Sequence, residues 1–124
     1  MPNSALTDVS ETLRYLNLSF NQIQHLDSTM FSNTLKLISL SLSNNRLTIL
    51  PDNIFIGLSS LLTLDLSHNP IRANFKELFH YTQRLKDLRL SHTSLRTVPI
   101  LPLPGNSDFD IRMMFLSGIL KAIR

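Results

Sequence analysis

Seven sequence columns recur every 24 residues, and that spacing constrains this chain more than any other feature. Rows written from Leu13 bring Leu13, Leu37, Leu61 and Leu85 into register, then Leu16, Leu40, Leu64 and Leu88, then Leu18, Leu42, Leu66 and Leu90. Asn21, Asn45, Asn69 and Thr93 follow, then Ile23, Leu47, Ile71 and Leu95, then Leu26, Leu50, Asn74 and Val98, and last Phe31, Phe55, Phe79 and Leu103. No insertion interrupts the four rows. A chain built this way must stack equivalent coils, because one coil cannot bury its apolar face alone.

The spacing inside a row defines the coil. Leu16-Asn17-Leu18-Ser19 and Leu64-Asp65-Leu66-Ser67 alternate apolar with polar residues, the period of a half-buried strand. Strands separated by whole coils pair in parallel at about 4.8 Å, so residues of one column become neighbours. The asparagines fall where the chain leaves each strand, and a buried turn there leaves backbone N–H and C=O groups that need partners. An amide supplies both donor and acceptor and can bridge adjacent coils. Thr93 can do only part of this, which predicts a looser fourth turn. The phenylalanine column is expected to stack as a spine under the outer side; periodic apolar residues are packing before they are a ligand box.

Each row reads L-x-x-L-x-L-x-x-N-x-L, and the chain therefore resembles the leucine-rich repeat family. The resemblance implies an α/β solenoid: a concave parallel β-sheet of short strands, and a convex side of loops, short helices or 3-10 turns. The phenylalanine-containing row resembles the 24-residue class typical of extracellular members such as Toll-like receptors and Slit-like proteins. Asn69-Pro70-Ile71 through Phe79-His80-Tyr81, with Leu95-Arg96-Thr97-Val98-Pro99, resembles chaoptin-type ectodomains. The class implies protein recognition on a curved sheet, in adhesion or receptor sensing. The repeat spacing itself defines only the scaffold.

The pattern frays at both ends. Residues 1–12 read as a partial repeat, 13–103 as four 24-residue repeats, and 104–124 as an irregular tail with a degenerate fifth repeat around Met114 to Ile123. In the third row Asn74 stands where a leucine is expected, and Phe75 to Tyr81 has helical apolar spacing, which predicts a short convex helix. Three prolines, Pro99, Pro102 and Pro104, predict extended loop from residue 99 onward. Neither end resembles a polar terminal coil, so the chain reads as a piece of a longer solenoid, with self-association through uncapped ends as a consequence.

Composition narrows function. Of 124 residues 25 are leucine, while cysteine and tryptophan are absent, which excludes disulfides and thiolate metal sites. A formal charge of +3 is too small to argue for nucleic acid. The apolar run from Met113 to Leu120 falls far short of the ~20 residues that span a bilayer, and Met1 to Ala5 has no signal-peptide pattern. His25, His68, His80 and His92 are dispersed, and no nucleophile triad, phosphate loop or zinc motif occurs. The serines Ser19, Ser43, Ser67 and Ser91 hold a fixed repeat position, as structural residues do. No enzyme, cofactor or metal site is therefore expected.

The expected site lies on the solvent side of the sheet, read from the columns Tyr15/Ser39/Thr63/Asp87, Asn17/Ser41/Asp65/Arg89 and Phe20/Asn44/His68/His92. Tyr15 and Phe20 are its aromatic end. Asp65 is expected to face Arg89 as a cross-strand ion pair, with Asp87 near and His68 beside His92. A protein ligand or a second copy of the chain is the expected partner, with Tyr15, Phe20 and Arg89 as anchors. Asn17-Leu18-Ser19 is an N-glycosylation acceptor motif. An extracellular or cell-surface setting is the expectation that follows from the class; a cytosolic scaffold and a truncated innate-immune receptor ectodomain are the alternatives.

Overall fold

The computed structural model describes residues 10–94. The elements run β1 (Tyr15–Asn17), β2 (Ser39–Ser41), β3 (Thr63–Asp65), a one-turn helix α1 (Phe75–Leu78) leading into a 3-10 turn (Phe79–Tyr81), and β4 (Asp87–Arg89). The strands form one parallel sheet in the order β1-β2-β3-β4. Leu16 pairs with Leu40, Leu40 with Leu64, and Leu64 with Leu88, so each step across the sheet is one repeat. The partial repeat before Ser10, the fourth coil beyond Ser94, the proline-rich loop and the degenerate fifth repeat lie outside the described residues.

Why each strand has only three residues follows from its place in the coil. The middle leucine of each strand points into the core, its two neighbours face out, and the next leucine turns inward again as the chain departs. Leu40, Leu42, Leu64, Leu66, Leu88 and Leu90 are buried together with Leu37, Leu61, Leu85, Leu47 and Ile71. In the first coil Leu13, Leu16, Leu18 and Ile23 are partly buried and pack against this core, with β1 an edge strand of the described sheet.

On the outer side Phe31, Phe55 and Phe79 are fully buried. Their ring centroids stand 6.5 Å and 6.3 Å apart, forming the expected spine, and Phe75 of α1 stacks on Phe79 at 5.7 Å. Asn74, the polar exception in its column, is the N-cap of α1 and accepts from the Glu77 N–H, the ordinary use of an asparagine at a helix start. Gly57 fits where a Cβ would lie 2.0 Å from the Phe31 carbonyl oxygen; the second coil approaches the first too closely there for any side chain.

The asparagine column stitches the coils. Asn45 Oδ1 accepts from the Ile23 N–H, and its Nδ2 donates to the carbonyls of Leu18, Leu42 and Ser43. Asn69 repeats the set one coil on, with Leu47 N–H as donor and Leu42, Leu66 and Ser67 as acceptors. Thr93 donates to Leu90 O within its own coil. The Ile71 N–H, which an asparagine at that position would engage, turns instead to Asn69 O at 2.8 Å.

Candidate functional site

The sheet's solvent side carries the candidate residues in the expected register: Tyr15, Ser39, Thr63 and Asp87 in one row, Asn17, Ser41, Asp65 and Arg89 in the next. Phe20, His68 and His92 are not strand residues, however. Strand alternation would aim position 20 into the core. Instead Phe20, Asn44, His68 and His92 all adopt a left-handed backbone, with φ between 54° and 59°, and so leave the strand with their side chains outside. The N–H groups of Phe20, Asn44 and His68 donate to the carbonyls of Ser43, Ser67 and Ser91 at 3.1, 3.0 and 2.9 Å. That coil-to-coil ladder holds the left-handed turn in place. Asparagine and histidine tolerate such a conformation better than most residues, whereas a phenylalanine is an outlier in it.

His68 and His92 are exposed, and their rings lie 4.3 Å apart with a 12° interplanar angle. They form the expected pair, as a flat stack at the rim of the sheet. Asp65 and Arg89 are register partners, yet they are not the ion pair expected from sequence. Arg89 Nη2 lies 3.6 Å from Asp87 Oδ2 on its own strand. Residues two apart on a strand share a face, and Asp65 is engaged elsewhere, its Oδ1 accepting from the Ser67 N–H at 3.0 Å. The Arg89 and Asp87 side chains are 50% and 33% exposed, so this pair is screened and contributes under ~1 kcal/mol to stability.

A depression of about 250 Å³ opens across β2, β3 and β4, lined by Ser39, Leu40, Ser41, Thr63, Leu64, Asp65, Asp87 and Arg89. Small residues make the depression: Ser39, Ser41 and Thr63 fill little of the space above the leucine floor, while the bulkier charged side chains stand at its β4 wall. Asp87 Oδ1 is shielded from solvent and accepts no hydrogen bond, an uncommon state for a carboxylate oxygen. The depression thus brings together Asp65, Asp87 and Arg89, and the His68–His92 stack lies outside its lining, in the turns that follow β3 and β4. Tyr15 and Phe20 stand at the opposite end of the sheet, 68% and 78% exposed.

Two features of this face escape sequence reading. The left-handed column leaves a weak trace in Asn44, His68 and His92, while phenylalanine conceals it in the first coil. The depression depends on the volumes of residues from three coils at once, and no single row reveals it. Among the described residues no group of three or more metal-ligating side chains occurs, and no helix is long and apolar enough to cross a membrane.

The leucine rich repeat profile matches residues 11–71, the segment carrying β1 to β3 and the two coil-stitching asparagines. In solved structures the leucine-rich repeat domain of APL1B superposes with a TM-score of 0.69 at 29% identity over 81% of this chain. In sequence, sheet and turn chemistry these coils are leucine-rich repeats. It spans 30% of the APL1B domain's length. No curated protein matches in sequence. Protein recognition is what this class of domain provides.

Proposed function

We propose that the chain is part of an extracellular or cell-surface recognition module, an adhesion or receptor ectodomain, that grips a protein partner on its concave sheet. The depression between β2 and β4 carries this reading. It offers an apolar leucine floor, three hydroxyl-bearing residues, two carboxylates and an arginine in one opening, and such mixed concavities with a few placed polar groups are where partners seat side chains. Arg89 is the anchor, because arginine concentrates interface energy. The Asp87 Oδ1 atom supplies an acceptor still in need of a donor, and the His68–His92 stack adds a planar rim.

The extracellular setting is supported by the phenylalanine-containing 24-residue row and by the acceptor motif at Asn17. A panel of purified secreted and cell-surface ectodomains, with a second copy of this chain included, tests the proposal. Arg89→Ala and Asp87→Ala should each weaken the interaction several-fold, while Arg72→Ala, an exposed residue off the four-stranded sheet, should leave it unchanged. Loss at Arg72 with tolerance at both sheet positions would move the contact off the concave face.

A further inference from the structure

The aromatic end of the sheet is separated from the depression and calls for its own explanation. Tyr15 and Phe20 are the most exposed large apolar residues on this face, at 68% and 78%, and Asn17 lies between them, also exposed. Asn17 begins the Asn-X-Ser motif, which occurs once in the sequence. Its Oδ1 accepts from both the N–H and the hydroxyl of Ser19. These bonds engage the oxygen of the amide and point the Nδ2 group away from the turn. Asn21, Asn45 and Asn69 do the opposite, committing Nδ2 to backbone carbonyls. The acceptor nitrogen at position 17 is therefore free of the scaffold's hydrogen-bond duties.

Residues 15 and 17 share the solvent face of β1 and are separated by roughly 6.6 Å along the strand. Tyr15 thus stands beside whatever is attached at Asn17. The negative face of an aromatic ring attracts polarised C–H groups, and a pyranose presents a face of such groups. We propose that Asn17 carries an N-linked glycan whose first sugar packs on Tyr15, with Phe20 flanking it, so that the concave face is divided into a glycan-covered β1 end and a protein-contact centre at β3–β4. This rests on the extracellular reading above and goes beyond it in assigning the aromatic end.

In the transfer, Asn17 Nδ2 attacks the anomeric carbon of a polyprenyl-diphosphate-linked oligosaccharide. The new N–C bond forms as the C–O bond to diphosphate breaks, the diphosphate leaves with the electron pair, and one Nδ2 proton passes to a base of the transferring enzyme. The coil can then form with the sugar in place, since the bonds to Ser19 use the amide oxygen. The attached sugar also gives Tyr15 and Phe20 a partner other than water.

The full chain, expressed behind a supplied secretory leader in eukaryotic cells, tests both parts. Transfer occurs as the chain enters the secretory pathway, so total chain, cellular and secreted, is read by peptide mass spectrometry and by sensitivity to an amide-cleaving glycosidase. Wild type and Ser19→Thr should carry glycan at Asn17, and Asn17→Gln and Ser19→Ala should lose it. Removing the glycan enzymatically should lower the melting temperature of wild type and have little effect on Tyr15→Ala. An unmodified Asn17 in chain that has entered the pathway overturns the acceptor assignment, and equal melting shifts in wild type and Tyr15→Ala overturn the stacking. Because the leader is supplied, either failure is separate from where the native chain resides, and a failure of concave binding is read independently through Arg89→Ala.

Discussion

Two turns at the same repeat position, one at Asn69 and one at Thr93, differ in how they hold the coils together. Asn69 reaches back 27 residues to Leu42 O and 22 to Leu47 N–H while also closing its own turn on Leu66 and Ser67. Among the described residues Thr93 closes only its own turn, on Leu90 O. Both side chains satisfy a carbonyl of the local turn. Only the longer amide, with a donor and an acceptor held in one plane, also spans to the preceding coil. The comparison teaches that the column's asparagine serves the interface between repeats, so its replacement weakens coupling between coils more than it weakens a coil.

The largest effect expected is the loss of the core common to both turns. Leu64→Ala, at a buried central position, should cost on the order of 2–5 kcal/mol in denaturant unfolding. A loss no greater than that of a surface change would show that β3 does not face as described. Next, Asn69→Thr should convert the third turn into a copy of the fourth at a cost of about 1–3 kcal/mol, because the buried Leu47 N–H and Leu42 carbonyl lose a partner. Amide exchange should quicken at Leu47 above all, which distinguishes lost stitching from general loosening.

The reciprocal change sharpens the contrast. Thr93→Asn should raise stability by about 0.5–1.5 kcal/mol by engaging the Ile71 N–H and tying the fourth coil to the third; slowed exchange at Ile71 would mark the new bond. If stability falls, the fourth turn is shaped for threonine and the two turns are not variants of one design. Smallest of all, Ser41→Ala on the solvent side should change stability by less than about 0.5 kcal/mol, since its one side-chain contact is with Ser43 Oγ at 3.3 Å.

How much of the candidate site was legible divides along similar lines. The row membership of Tyr15, Asn17, Asp65, Asp87 and Arg89 follows from period two inside the strand and period 24 between strands, and the observed register agrees at each. The pairing of Arg89 does not follow. Cross-strand proximity and along-strand proximity offer it Asp65 and Asp87 at comparable range, and a competing backbone donor, the Ser67 N–H, decides between them. Likewise, columns place His68 beside His92, while the flat stacking of their rings comes from the shared left-handed turn.

The sequence by itself determined the coil. Leucines at fixed intervals can be buried in only one way if each coil is to hide its apolar face against the next, and this dictates parallel strands, their order and the phenylalanine spine. It also marked the turns, because an amide column beside a strand end answers an obligatory backbone demand. Tertiary structure alone decided what depends on the meeting of several coils: the depression above small residues on β2 and β3, the choice of Asp87 over Asp65 for Arg89, and the close approach of Gly57 to the Phe31 carbonyl. Periodicity reports which side a residue faces. Distances of a few ångströms between residues 22 to 27 positions apart are fixed only when the coils pack, and those distances govern what the concave face can hold.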